Sequence, residues 1–207
     1  MKYYSTVIFD FDGTIADSMQ ATVKVYEKLS RKYNLKKIPK EELNILRTKK
    51  PLELLSFLNI PLYKAPFLLM EGRKLFQDFR NNIEPFHGIA EVIHSLKKKY
   101  ILGILTSNSE ENVRDFLKEF HLDVFEFIHN EKNLFGKDKA LRKIIEEREL
   151  DIEKTLYIGD EVRDIEGCQK AGVSIVSVAW GFNEKGLLSK SNPTYLIDYP
   201  EDLLKIL

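Results

Sequence analysis

Four short apolar runs, spaced along the chain and separated by helical patterns, restrict this sequence to one architecture. The runs are Thr6–Phe9, Ile101–Leu105, Thr155–Ile158 and Ser174–Val178. Each is partly β-branched, stops at a polar or glycine-rich turn, and has the length of a strand buried on both faces. Val124–Ile128 is a fifth, less regular candidate. Helical periodicity occupies Ile89–Lys99, Glu110–Phe120, Lys139–Arg148 and Val162–Lys170. Strands alternating with helices predict an α/β fold, a Rossmann-like parallel sheet core with helices on both faces. A short strand at Tyr195–Ile197 and a helix from about Pro200 to Leu207, too short to hold without docking, complete the pattern.

One interval breaks the alternation. Between Thr14 and Pro85 the sequence is amphipathic and helical, punctuated by Pro39, Pro51, Pro61 and Pro66. Val23, Tyr26, Leu29 and Tyr33 recur at helical spacing, as do Leu52, Leu55 and Leu58. A stretch of about 70 residues is too long for a loop in a compact domain. The expected organisation is therefore a core from residues 1–14 and 86–207, with an all-helical unit over 15–85 inserted after the first strand.

Charge narrows the partners. Lys and Arg number 32 and so do Asp and Glu, giving zero formal net charge. No whole-molecule field attracts nucleic acid or an anionic membrane. The apolar runs, such as Phe67–Met70, are too short to span a bilayer. The single cysteine, Cys168, cannot form an intrachain disulfide, and Met1 to Asp10 lacks the features of a signal peptide. These readings lead to an expectation of a cytoplasmic protein without nucleic-acid or membrane partners.

Polar groups gather where the strands end. The first run continues into Asp10-Phe11-Asp12-Gly13-Thr14, two aspartates followed by a glycine that permits a sharp turn beside a ligand. The second ends in Thr106-Ser107-Asn108 before a helix, whose N-terminal amides would form an anion site. Phe135-Gly136-Lys137 precedes the third helix, and Gly159-Asp160 with Asp164 follows the strand at Thr155–Ile158. Singly, each has a plainer reading. Asp12 can cap a turn, Asn108 or Ser109 a helix, Lys137 can face solvent, and acids favour a helix start. Four independent strand ends carrying groups useful for one reaction weigh against those readings together.

In this order the residues resemble the four motifs of the haloacid dehalogenase-like (HAD) hydrolase superfamily, from Thr6 to about Phe182. The insert stands where that family places its cap, and Phe86-His87-Gly88 looks like the return from it. Val178-Ala179-Trp180-Gly181-Phe182 is similar to the phosphoglycolate phosphatase-like subgroup. The resemblance implies a phosphatase acting on a small phosphorylated metabolite. Asp10 would be the nucleophile that forms an aspartyl-phosphate, and Asp12 the acid and base. Thr106, the amides of Ser107 and Asn108, the turn at Gly13, and Lys137 would hold the phosphate. The same pattern implies Mg²⁺ on the Asp10 carboxylate, the Asp12 carbonyl and Asp160, with Asp164 binding or supporting. Like charges about 4 Å apart repel by roughly 4 kcal/mol at an effective dielectric of 20, so these acids call for a cation. His87, His94, His121 and His129 lack zinc-ligand spacing, and Cys168 reads as core filler. Arg47, Lys49 and Lys50, before Pro51, are candidates for a second anionic group on the substrate, or else a solvated basic turn.

Asp12 argues against a dehalogenase, which has no alcohol to protonate. A phosphomutase shares the same chemistry and is the alternative. A receiver-type signalling domain would lack the insert, and a dinucleotide-binding module would carry Gly-x-Gly-x-x-Gly after the first strand.

Overall fold

The computed structural model describes residues 3–131 and 136–207. Six strands, β1 (Thr6–Phe9), β2 (Ile101–Thr106), β3 (Phe127–Asn130), β4 (Thr155–Gly159), β5 (Ser174–Val178) and β6 (Tyr195–Ile197), form one sheet. Its order is β3-β2-β1-β4-β5-β6, and every pairing is parallel. The chain steps outward from β1 in one direction, then returns to β1's other side for β4. That reversal opens a crevice at the carboxyl ends of the central strands, where ligands bind in open α/β sheets.

Both faces of the sheet are covered, which is why the strands read as nearly continuous apolar runs. Val7 and Phe9 of β1 join Ile104, Ile158 and Val176 in a cluster on one face. Helices α5 (Ile89–Leu96) and α6 (Glu110–Glu119) cover it, with Ile89, Val92, Ile93 and Leu96 forming an inward stripe. Ile8, Leu105 and Tyr157 point the other way, against helices α7 (Lys137–Glu147) and α8 (Val162–Ala171). Cys168 is buried there as core filler.

Between β1 and α5 lie four α-helices, α1 (Met19–Tyr33), α2 (Leu43–Arg47), α3 (Pro51–Phe57) and α4 (Ala65–Phe76), with short 3₁₀ turns among them. They have their own apolar cluster of Leu46, Leu58, Ile60 and Leu68. The two ends of this insert run side by side. Asp17 N–H donates to Glu84 O at 2.8 Å and Phe86 N–H to Ile15 O at 3.0 Å. No single helix among the described residues is long and apolar enough to cross a membrane, although α3 and the helical stretch Leu62–Asn82 pass that test as a pair bent by 104°.

Three expectations shift. The fifth strand lies at Phe127–Asn130 rather than Val124–Ile128. Val124 and Phe125 pack against the core from an irregular connecting segment, and Glu126 N–H is the group that bonds Leu102 O of β2. Helix α7 begins at Lys137, two residues before the expected Lys139, so that lysine belongs to its first turn. Helix α6 ends at Glu119, one residue before the expected Phe120, which takes the C-cap position. The chain end is a 3₁₀ turn at Pro200–Asp202 and a short helix (Leu203–Ile206), docked through the fully buried Leu203.

Candidate active site

The tip of β1 supplies the central group. Asp10 N–H donates to Ile158 O at 2.8 Å, extending the ladder to β4 by one residue and fixing the side chain above the sheet edge. Its Oδ1 accepts from Phe11 N–H at 2.8 Å and its Oδ2 from Lys137 Nζ at 2.7 Å. The backbone then turns tightly, with the amides of Thr14, Ile15 and Ala16 all directed at Phe11 O. Gly13 makes the turn at φ +80°, and a Cβ there would stand 2.2 Å from Asp160 Oδ2. No other residue fits.

Lys137 does not face solvent. Its side chain is 9 % exposed, and its ammonium bonds both Asp10 and Asp164. Burial would depress its pKa, but the charges of Asp10 and Asp164 outweigh that and hold it above the ordinary lysine value. Phe135, the first residue of that motif, lies outside the described residues. The third carboxylate, Asp160, is fully buried at the end of β4. It accepts from Thr14 Oγ1 at 2.9 Å and from Phe182 N–H at 2.6 Å. Asp164, in the first turn of α8, also accepts from Glu161 N–H at 2.9 Å.

Asp10, Asp160 and Asp164 each offer an oxygen, and these oxygens lie within 4.8 Å of one another. Among the described residues, no other group of acids, histidines or cysteines converges in this way. Three carboxylates around one ammonium leave an excess of negative charge in a buried place. Burial, only partly offset by Lys137, pushes Asp10 up to about 6. Burial, followed by the charges of Glu161, Asp164 and Asp10, raises Asp160 well above the carboxylate range. A buried set of oxygen donors that resists ionising by itself fits a hard divalent cation.

Asp12 lies apart from that cluster and lines a cavity of about 600 Å³ between core and insert. Its Oδ2 accepts from Asn108 Nδ2 at 3.1 Å, while its Oδ1 is buried without a partner among the described residues. Burial pushes its pKa up, favouring the protonated acid. Thr106 sits at the end of β2, its Oγ1 accepting from Asn108 N–H at 3.0 Å, which leaves the hydroxyl proton available to a ligand. Ser109 caps α6 by accepting from Asn112 N–H at 3.3 Å, so the capping role falls outside Ser107 and Asn108. Both of those line the cavity.

The three basic residues before Pro51 separate. Arg47 donates from Nε and Nη2 to Phe182 O and Gly181 O at 3.2 and 3.1 Å, clamping the insert onto the loop after β5. Lys49 lines the cavity, 5.1 Å from the Phe57 ring centroid. Lys50 points away to Glu166 at 3.4 Å and does not border the cavity.

Several working residues carried no assigned role in the sequence. Thr14 fixes Asp160. Asn183 receives Val162 N–H at 2.9 Å and donates to the carbonyls of Arg47 and Lys49 at 3.2 and 3.3 Å, joining core to insert. Arg163 pairs with Glu161, at 2.9 Å from its Nε. At Gly181 a Cβ would meet Asp160 Cβ at 2.2 Å and Gly13 O at 2.3 Å. The available signal was Gly181-Phe182 lying just past a strand end, a segment that carried only the subgroup resemblance.

This fold, with carboxylates at the tips of β1 and β4 and a helical insert between β1 and α5, defines a class. Residues 7–178 match the family model of the haloacid dehalogenase-like hydrolases, and the chain belongs to that family. Among its relatives, the chain is 28% identical over 201 residues to a phosphoglycolate phosphatase of Synechococcus elongatus, covering 96% of this chain and 95% of the other. It is 27% identical over 209 residues to pyrophosphatase PpaX of Bacillus mycoides, covering 98% and 96%. A haloacid dehalogenase-like family hydrolase from Streptococcus pneumoniae has the same fold, with a TM-score of 0.84 at 18% identity, covering 100% of this chain and 99% of that one.

Proposed function

We propose that this chain hydrolyses a phosphate monoester of a small metabolite through an aspartyl-phosphate on Asp10, with residues 15–85 acting as a cap over the core. The observation that carries the reading is the division of labour between two aspartates one residue apart. Asp10 is held by Phe11 N–H and Lys137 beside two further carboxylates, whereas Asp12 has a buried oxygen without a hydrogen-bond partner among the described residues and faces the cavity. The names of the two sequence relatives, a phosphoglycolate phosphatase and a pyrophosphatase, agree with phosphoryl chemistry.

In this reading an Asp10 oxygen attacks phosphorus as the P–O bond to the leaving alcohol breaks, and protonated Asp12 delivers its proton to that alkoxide. Asp12, now a carboxylate, takes a proton from water, whose oxygen attacks the phosphorus of the aspartyl-phosphate. Inorganic phosphate leaves and Asp10 is regenerated. Lys137 neutralises charge on Asp10 and the phosphoryl oxygens, and Thr106 with the amide of Ser107 donates to those oxygens, while Asn108 N–H orients the Thr106 hydroxyl. The residues fit Mg²⁺ on the Asp10 and Asp160 carboxylates and the Asp12 carbonyl, with Asp164 in support. When bound, this cation would offset the charge of the phosphate and the acids together.

The test is phosphate release from a panel of small esters, with and without Mg²⁺, by wild type and Asp10→Asn. Turnover should vanish on chelation and in the variant. Undiminished turnover in Asp10→Asn would refute the mechanism. Interconversion of sugar phosphates with no net phosphate release would mark a mutase instead.

A further inference from the structure

The cavity over Asp12 extends into the insert, and there its wall is hydrocarbon. Val25 and Leu29 of α1, Leu54 of α3, Leu58 just after it, Leu68 of α4 and Phe182 all line it. At about 600 Å³, it lies within the range of about 300–1,000 Å³ typical of pockets that enclose an entire small molecule. The other end of the same cavity is polar, bordered by Asp12, Ser107 and Asn108. One space therefore joins an acid-and-amide end to an apolar end.

Three of the polar groups on the cavity wall are already engaged. Tyr26 donates its hydroxyl to Lys36 O at 2.5 Å. Arg47, one of four cations bordering the cavity, is bonded to Gly181 O and Phe182 O. Arg163 is paired with Glu161. Lys49 and Arg73 also border the cavity, so charge is present on its wall, but a carboxylate seated among the leucines themselves would lose its water, which is costly. A hydrocarbon group there would gain from leaving water.

From the hydrocarbon lining we infer that the substrate is a phosphate monoester whose organic part is apolar, an alkyl chain or an aromatic ring. The inference rests on the phosphatase reading for the placement of the phosphate at Asp10, and it assigns the leaving group to the leucine-lined end of the cavity.

Trp180 is the chain's single tryptophan and lines the cavity, so its emission reports occupancy independently of turnover. The Mg²⁺-loaded full chain is titrated with n-alkyl phosphonates from methyl to hexyl while Trp180 fluorescence is followed. In parallel, kcat/KM is measured for the matching alkyl phosphates, phenyl phosphate and phosphoglycolate. At about 0.8 kcal/mol per buried methylene, Kd should fall and kcat/KM should rise roughly fourfold with each added carbon. Leu54→Gln should flatten both slopes, whereas Leu52→Gln, on a residue 55% exposed and outside the cavity, should leave them unchanged. A flat or inverted slope in wild type, or a tenfold preference for phosphoglycolate over hexyl phosphate, would overturn the inference while leaving the phosphatase reading intact. Chain-length-dependent binding with no phosphate released from any ester would support the apolar ligand and overturn the hydrolase.

Discussion

Lys137→Met removes one ammonium from between two carboxylates while keeping most of the side chain's stem. The ammonium lies 2.7 Å from Asp10 Oδ2, is bonded to Asp164 as well, and belongs to a side chain only 9 % exposed, so water screens it little. Without it, Asp10 and Asp164 face each other with oxygens as close as 4.8 Å or less. At that separation two charges repel by about 3.5 kcal/mol at an effective dielectric of 20. Breaking a buried pair by removing one partner costs about 3–5 kcal/mol, which agrees with that figure. At 2–4 °C per kcal/mol for a chain of this size, the loss corresponds to roughly 10 °C in Tm. The penalty must also depend on pH. Asp10 titrates at about 6 in the folded protein, and Lys137 is one of the influences that lower it, so the variant's Asp10 must titrate higher still. A carboxyl whose folded pKa is raised costs stability fully above that pKa, and the cost disappears as pH falls toward the unfolded value near 3.8. Urea unfolding of wild type and variant in EDTA, at pH 7.5 and pH 5, measures both effects. The difference should be about 3–5 kcal/mol at pH 7.5 and clearly smaller at pH 5. A loss under about 1 kcal/mol at pH 7.5, or the same loss at both pH values, would refute the argument, because surface pairs behave in that way.

Gly181→Ala should reduce Mg²⁺ affinity by calorimetry far more than Gly186→Ala does. The new methyl meets Asp160 Cβ at 2.2 Å, whereas at Gly186 only the flexible end of Glu184 lies within reach, at 3.7 Å. Equal affinities would show that the Gly181 loop does not set the position of Asp160. Asp12→Ala should lower kcat for an alkyl phosphate about 10²–10⁴-fold and do so much less for p-nitrophenyl phosphate, whose leaving group needs no proton. Equal losses on both esters would remove the acid role. Metal-stripped wild type should gain Tm as pH falls from 7.5 to 5, because Asp10 and Asp160 both have raised folded pKa values. Saturating Mg²⁺ should flatten that slope. Glu71, depressed to about 2 from 4.5, acts below this window with the opposite sign. A metal-stripped protein that becomes more stable between pH 5 and 7.5 would contradict the burial argument.

The parts of the fold that could be read from residues were those in which one local pattern has one cause. Thr6–Phe9 and Ser174–Val178 match the strands residue for residue, because a run covered on both faces is predominantly apolar, Thr6 and Ser177 being the buried exceptions. Val124–Ile128 misled for the same reason. Val124 and Phe125 are apolar because they pack on the core from an irregular segment, and composition alone does not separate that from a strand. The carboxylates stood out because aspartates at strand ends are costly unless something binds them. Lys137 is one of 32 basic residues, and only the contact between α7 and the tip of β1, 127 positions earlier in the chain, distinguishes it. Arg47 and Lys50, three residues apart, were grouped as one basic cluster. Their partners, Phe182 O and Glu166, come from different parts of the core, a separation no spacing rule contains.

Phe182 is shared between two bodies. Its amide serves an acid at the bottom of the crevice, its carbonyl is gripped by an arginine of the inserted helices, and its ring packs into their apolar centre. A swing of those helices therefore disturbs the hydrogen bonding of Asp160, and ordering Asp160 steadies the helices. Linkage requires the influence to be equal in both directions. Filling the inorganic half of the site should tighten the grip on the organic half, even though no ligand atom passes between them.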